Sequence, residues 1–197
     1  MVFPDRLSLG EVSLGKGWAV WVTGLPGSGK SSVAKEIQRR LLKRQVKSRI
    51  LSSDELRKRI TPAPKYTEEE RDFVYKTLAL TAKNLTDEDI NVIIDATGNR
   101  RRYRDRCRRE ISRFAEIYLK CPLELCIERE KRRIESSYAP KGIYEKAFGR
   151  ISRTVPGVGV PYEEPLNPEL TLDSKELPPK ECAEKVIRKL HALGWVS

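Results

Sequence analysis

The sequence predicts an α/β fold of three layers, with a mainly parallel sheet of about five strands between helices. Three observations carry that expectation. Trp18 to Thr23 is an apolar, β-branched run that leads into Gly24-Leu25-Pro26-Gly27-Ser28-Gly29-Lys30-Ser31-Ser32. After it, Val33, Ile37, Leu41 and Leu42 fall at helical spacing. Further on, strand-like runs alternate with longer helix-like ones, and no repeat, linker or low-complexity block interrupts them.

Composition narrows the classes. The 197 residues suffice for one domain with a full core. No run of eighteen apolar residues exists, so no membrane span is expected. Met1 to Lys16 lacks the charged and apolar regions of a signal peptide, which points to the cytoplasm. Cys107, Cys121, Cys126 and Cys182 form no CxxC pair and there is one His, so buried free thiols are expected rather than zinc ligands. The net charge of +11 suits either nucleic acid or a small anionic substrate.

The chain divides into an N-terminal leader over residues 1–16 and one domain over 17–197. The glycine run matches Gly, four residues, Gly, Lys, Ser, and sits between a strand and a helix over 29–44. Glycines let successive N–H groups turn toward a polyphosphate, and the helix N-terminus adds partial positive charge. Gly24 to Ser32 are therefore expected to cradle ATP. Lys30 reaches its β- and γ-phosphates, and the Ser31 hydroxyl serves magnesium.

Arg49 to Ser52 is the second strand. Residues just past a strand's carboxyl end line the ligand crevice in open parallel sheets, so Asp54 and Arg57 fall where a substrate would sit. Ser53 or Asp54 also suits the cap of a helix over 55–60. A proline-broken loop from Thr61 to Tyr66 follows. Thr67 and Glu70 then spell a capping box for a helix to about Leu85, with Phe73, Leu78 and Leu85 apolar. Ile90 to Asp95 is a strong buried strand ending in a carboxylate that can hold magnesium through water.

Arg100 to Arg109 holds seven arginines, which cannot share one face of a helix. A solvated helix with one or two functional arginines at its start is expected in preference to an RNA-binding patch. Phe114 to Leu119 is the fourth strand, and a helix runs from Leu123 to about Ile134. Arg129, Arg132 and Arg133, followed by a loop, resemble the lid of small kinases, placed near 129–141. A short helix over 142–151 precedes a Gly/Pro-rich loop, Thr154 to Pro168, of the kind that covers active sites. Leu170 to Leu172 is the last strand, and a helix over 178–193 ends at Gly194.

Several of these stretches together resemble the adenylylsulfate kinase family of P-loop kinases, over about residues 17–194. They are Trp21-Val-Thr-Gly-Leu-Pro-Gly-Ser-Gly-Lys-Ser-Ser, Pro122-Leu-Glu-Leu-Cys126, Pro140-Lys-Gly-Ile-Tyr-Glu-Lys-Ala147 and Val158-Gly-Val-Pro-Tyr-Glu-Glu-Pro-Leu-Asn-Pro168-Glu-Leu. The resemblance implies phosphorylation of the 3′-hydroxyl of adenylyl sulfate by ATP and magnesium. Lys30 and Asp54 would be catalytic, and Ser31 and Asp95 would serve the metal. Arg57 and Arg71 would bind the phosphosulfate and Tyr66 would stack on its adenine. Asn99, Arg101, Lys146 and Gly157 would complete the acceptor site, and Arg129 and Arg132 would serve ATP. The partners implied are ATP and a small anionic acceptor rather than a membrane or nucleic acid, with a homodimer left open.

The chain also departs from the family pattern. Ser52-Ser53-Asp54-Glu55 replaces Asp-Gly-Asp-Asn, Val74 replaces an Asn, and Val155 stands where a second stacking aromatic would be. Thr97-Gly98-Asn99-Arg100-Arg101 replaces Ile-Ser-Pro-Tyr-Arg, so the serine that can be phosphorylated is lost at Gly98. Two alternatives stay open at this point: a kinase of a nucleoside or sugar, and a nucleic-acid-end kinase or RNA-binding ATPase.

Overall fold

The computed structural model describes residues 17–132, 140, 142–149 and 152–197. The leader expected over 1–16, most of the lid expected near 129–141, and the expected helix ends at Ile134 and Ile151 lie outside the described residues.

Five parallel strands form one sheet: β1 (Ala19–Thr23), β2 (Ser48–Ser52), β3 (Asn91–Asp95), β4 (Phe114–Lys120) and β5 (Leu170–Asp173), in the order β2-β3-β1-β4-β5. Side chains alternate across each strand. On β1, Val20 and Val22 face one core with α1 (Lys30–Lys43) and α7 (Pro179–Ala192), where Ile37, Leu41, Val186 and Leu190 pack. Ala19 and Trp21 face the opposite core with α3 (Glu68–Asp87) and α4 (Arg101–Glu110), among Tyr75, Leu78, Ala82 and Tyr103. These faces make the expected three layers. Among the described residues no helix is long and apolar enough to cross a membrane. All four cysteines are buried and free.

Local chemistry sets the helix starts, with one correction to a cap and one to a buried face. Helix α2 (Ser53–Ile60) is capped by Ser52, whose hydroxyl accepts the Glu55 N–H at 3.4 Å, one or two residues ahead of the expected cap. Thr67 does cap α3, accepting the Glu70 N–H at 3.2 Å. On α3 the buried apolar face is Val74, Tyr75, Leu78, Ala79 and Ala82, whereas Phe73 points to solvent at 55% exposure.

Helix α4 is not wholly solvated. Arg104, in its middle, is 1% exposed and pairs with Glu116 of β4. It also donates to the carbonyls of Gly98 and of Glu163, the latter at 2.6 Å. The charge is tolerable there because each of the three guanidinium nitrogens meets an acceptor, one of them a carboxylate. The remaining helices are α5 (Leu123–Arg132) and α6 (Ile143–Phe148).

Candidate active site

A cavity of about 900 Å³ opens at the carboxyl ends of β1, β2 and β3, where an open parallel sheet places its ligands. Pro26 to Ser32 line its floor. Gly27 has φ +82°, and a Cβ on it would meet the Cys126 carbonyl oxygen at 2.3 Å, so the loop can pack this closely on α5 only without a side chain. Gly29 has φ +99° and ends the loop immediately before α1, whose first residues, Lys30 to Ser32, line the cavity. Gly24 and Leu25 lie behind the lining. Leu25 packs beneath it with Leu123, and a Cβ on Gly157 would meet Leu25 at 2.8 Å.

Lys30 is buried, and its Nζ donates to the Gly24 and Leu25 carbonyls at 3.1 and 2.9 Å. Asp95, at the end of β3, is buried beside it. Burial holds the Asp95 carboxyl above the usual carboxylate range, opposed by the Lys30 charge and a hydrogen bond from Ser31. The strand end, the loop lysine and the first-turn serine thus meet at one point.

The second wall comes from α2 and the loop after it. Asp54 stands half-buried in the first turn of α2, and Arg57 one turn later is 5% exposed. The Arg57 guanidinium lies over the Tyr66 ring at 4.6 Å from its centroid and pairs with Glu70. Tyr66 has φ +57°, the left-handed region that a bulky residue occupies only when its surroundings enforce it.

Arg71 is also 5% exposed. Its fork donates to the Tyr66 carbonyl at 3.2 Å, to Asn99 Oδ1 at 3.4 Å and to the Thr154 carbonyl at 2.5 Å. Arg71 therefore straps the two lips of the cavity together. Val155, on the lip opposite Tyr66, is buried and lines the space. Lys146 of α6 reaches the rim.

Several expected site residues sit elsewhere. Asn99 is fully buried outside the lining, where it holds Arg71 and donates to the Pro161 carbonyl at 3.2 Å. Arg101 is turned to the Glu163–Glu164 segment: its backbone N–H donates to Glu163 at 2.8 Å and its side chain to the Glu164 carbonyl at 3.3 Å. Gly157 lies outside the lining as well. Arg129 and Arg132 both line the cavity, Arg129 fastened to the Ser174 carbonyl at 2.7 Å and Arg132 exposed and paired with Glu128 at 2.6 Å. Arg133 lies outside the described residues.

The sequence reading missed the far end of the cavity, built by Ser174 to Pro179 and Cys182. The strand-end rule that found Asp54 would have found it if applied to β5 as well. It also missed the hydrogen bond from the Tyr144 hydroxyl to the Pro26 carbonyl, which no local pattern announces.

Gly98, where the resemblance expects a serine, has no room for a side chain. It has φ +51°, and a Cβ there would lie 2.7 Å from the Trp21 ring and 3.1 Å from Arg104. A serine does not fit this backbone.

Comparison with known proteins agrees with this architecture. The family model described as adenylylsulphate kinase matches residues 16–173. A probable adenylyl-sulfate kinase of Pyrococcus abyssi is 35% identical over 92% of this chain and 99% of its own length. An adenylyl-sulfate kinase of Halothermothrix orenii is 34% identical over 92% of this chain and 94% of its own. The Mycobacterium tuberculosis APS kinase solved in complex with AMPPNP and APS superposes with a TM-score of 0.79 at 31% identity, covering 89% of this chain and 98% of that one. With most of its length matched in sequence and in fold, the chain belongs to the adenylylsulphate kinase family.

Proposed function

We propose that this chain transfers the γ-phosphoryl group of ATP to the 3′-hydroxyl of adenylyl sulfate, giving ADP and 3′-phosphoadenylyl sulfate. One observation carries the reading: a single cavity joins a phosphate loop to a wall holding a carboxylate, two arginines and a tyrosine ring. A donor polyphosphate suits the first, and an anionic nucleotide acceptor suits the second.

In this reading the loop amides and the start of α1 take the β- and γ-phosphates. Lys30 exchanges its two carbonyl partners for phosphate oxygens and faces the charge that develops in transfer. Asp54 orients the acceptor hydroxyl and takes its proton. Tyr66 stacks on the acceptor base, with Val155 as an aliphatic second wall. Arg57 and Lys146 attract the phosphosulfate, and Arg71 keeps the lips at the spacing the base needs.

The residues present fit a magnesium ion. Asp95 is a buried carboxylate with a raised pKa, a penalty that a nearby cation relieves, and the Ser31 hydroxyl adjoins it. Magnesium takes few protein ligands and keeps water and phosphate oxygens, so Ser31 and Asp95 would hold it. When bound, the ion neutralises charge on the phosphates. Residues 17–197 act as one kinase domain, working in the cytoplasm.

The test is ADP release with three acceptor sets: adenylyl sulfate, a nucleoside and sugar panel, and 5′-hydroxyl oligonucleotides. Turnover with adenylyl sulfate at least about a hundredfold more efficient than with any other acceptor is expected, since leaving a site's buried polar groups unpaired costs that much or more. Equal or better turnover with an uncharged acceptor overturns the reading.

A further inference from the structure

We propose that Glu70 is a positioning residue for the acceptor: one carboxylate sets both the cation and the ring of the acceptor wall. The proposal rests on the adenylyl sulfate reading above.

The geometry is specific to the cavity. Glu70 Oε1 pairs with Arg57 Nη1, and Oε2 accepts the Lys65 N–H at 2.6 Å and the Tyr66 N–H at 3.1 Å. In an ordinary capping box that carboxylate would return to the cap residue's own amide. Here Thr67 caps the helix through its hydroxyl, and the Glu70 side chain reaches past it to two amides of the preceding loop. Those two bonds, with the one from Arg71 to the Tyr66 carbonyl, hold Tyr66 at φ +57°. The left-handed turn aims the ring at the Arg57 guanidinium, 4.6 Å from its centroid.

Both groups line the cavity and Glu70 does not. It therefore acts through them. The carboxylate meets the edge of the Arg57 fork while the ring supports its face, so the guanidinium is held in one orientation before the acceptor arrives. Ordering these groups in advance lowers the entropy cost of binding. The loop that Glu70 holds is distinct from the phosphate loop. Loss of Glu70 should thus fall on acceptor binding and spare ATP.

The experiment measures KM for adenylyl sulfate, KM for ATP and kcat for wild type, Glu70→Ala and Glu70→Gln, with thermal unfolding as a control. Glu70→Ala removes both jobs and should raise the acceptor KM about tenfold or more, because charge-assisted and amide hydrogen bonds are lost together. Its ATP KM should stay within about twofold, since the phosphate loop is untouched. Glu70→Gln keeps a carbonyl oxygen for the loop amides but loses the ion pair, so its acceptor KM should rise about threefold or more, and less than in Glu70→Ala. If Glu70→Ala does not fold, Glu70→Gln alone carries the comparison. An unchanged acceptor KM in Glu70→Gln and Glu70→Ala, or an equal rise for both substrates, overturns the role of Glu70. A wild-type protein that does not phosphorylate adenylyl sulfate overturns the functional reading itself, and this proposal with it.

Discussion

The Tyr144 hydroxyl donates to the Pro26 carbonyl at 2.8 Å, joining helix α6, which carries Lys146, to the phosphate loop. The ring is fully buried, and burial pushes the phenol far above its ordinary pKa, so it stays a proton donor at any working pH. The donor and acceptor halves of the cavity are thus linked by one neutral hydrogen bond. Tyr144→Phe leaves the ring and removes the bond, a loss of about 0.5–1.5 kcal/mol in stability. A lower melting temperature should accompany weaker binding of both substrates. Titrations of ATP and acceptor check it, and a change confined to one substrate would contradict the link.

Lys30→Ala should lower turnover by about two to three orders of magnitude or more, because a fixed charge facing the transferred group is removed from a dry site. Lys30 donates to two loop carbonyls, which water can serve in its place, so the fold should persist. Single-turnover kinetics on protein with a native circular-dichroism spectrum decide it. Near wild-type transfer would sink the assignment of the phosphate loop.

Asp95 makes a prediction about pH. Its folded-state pKa is raised above the ordinary carboxylate value, mainly by burial. The folded protein therefore holds a proton that the unfolded chain releases, and stability falls as pH rises from about that value through the raised one. At pH 7, above the range in which the unfolded carboxyl titrates, burial of this group costs the ligand-free fold stability. Asp95→Asn should raise the melting temperature at pH 7, gain less near pH 4, and increase the magnesium needed for turnover. Asp54→Asn should instead lower turnover at saturating magnesium. Melting curves at the two pH values with magnesium titrations test both; a less stable Asp95→Asn protein at pH 7 would refute the sign.

Arg71→Lys distinguishes a strap from a simple cation. A lysine keeps the charge but cannot reach Tyr66, Asn99 and Thr154 together with one planar fork. Its acceptor KM should therefore rise nearly as much as in Arg71→Ala, about tenfold or more for hydrogen bonds to a buried charge. The ATP KM should hold in both. If the lysine restores acceptor binding, charge alone is what the acceptor requires of this position.

What the sequence by itself determined was local. Glycine spacing between a strand and a helix announces the phosphate loop, because such a turn needs only neighbouring residues. The same holds for alternating strands and helices, for Thr67 as a cap, and for carboxylates placed just past strand ends. The resemblance to adenylylsulfate kinases rested on such contiguous stretches, and the family match bears it out. What tertiary structure alone decided depends on distant partners. Arg104 looked like one more surface arginine in a run of seven, yet it is buried because β4 brings Glu116 beneath it. Arg71 read as a free cation for the acceptor, yet its fork is occupied by groups 5, 28 and 83 residues away. Glu70 read as half of a capping box, yet it holds Arg57 and the Tyr66 turn. Composition and periodicity report which residues want burial or water, but a charged side chain's partner is set by which strands and loops the fold brings together.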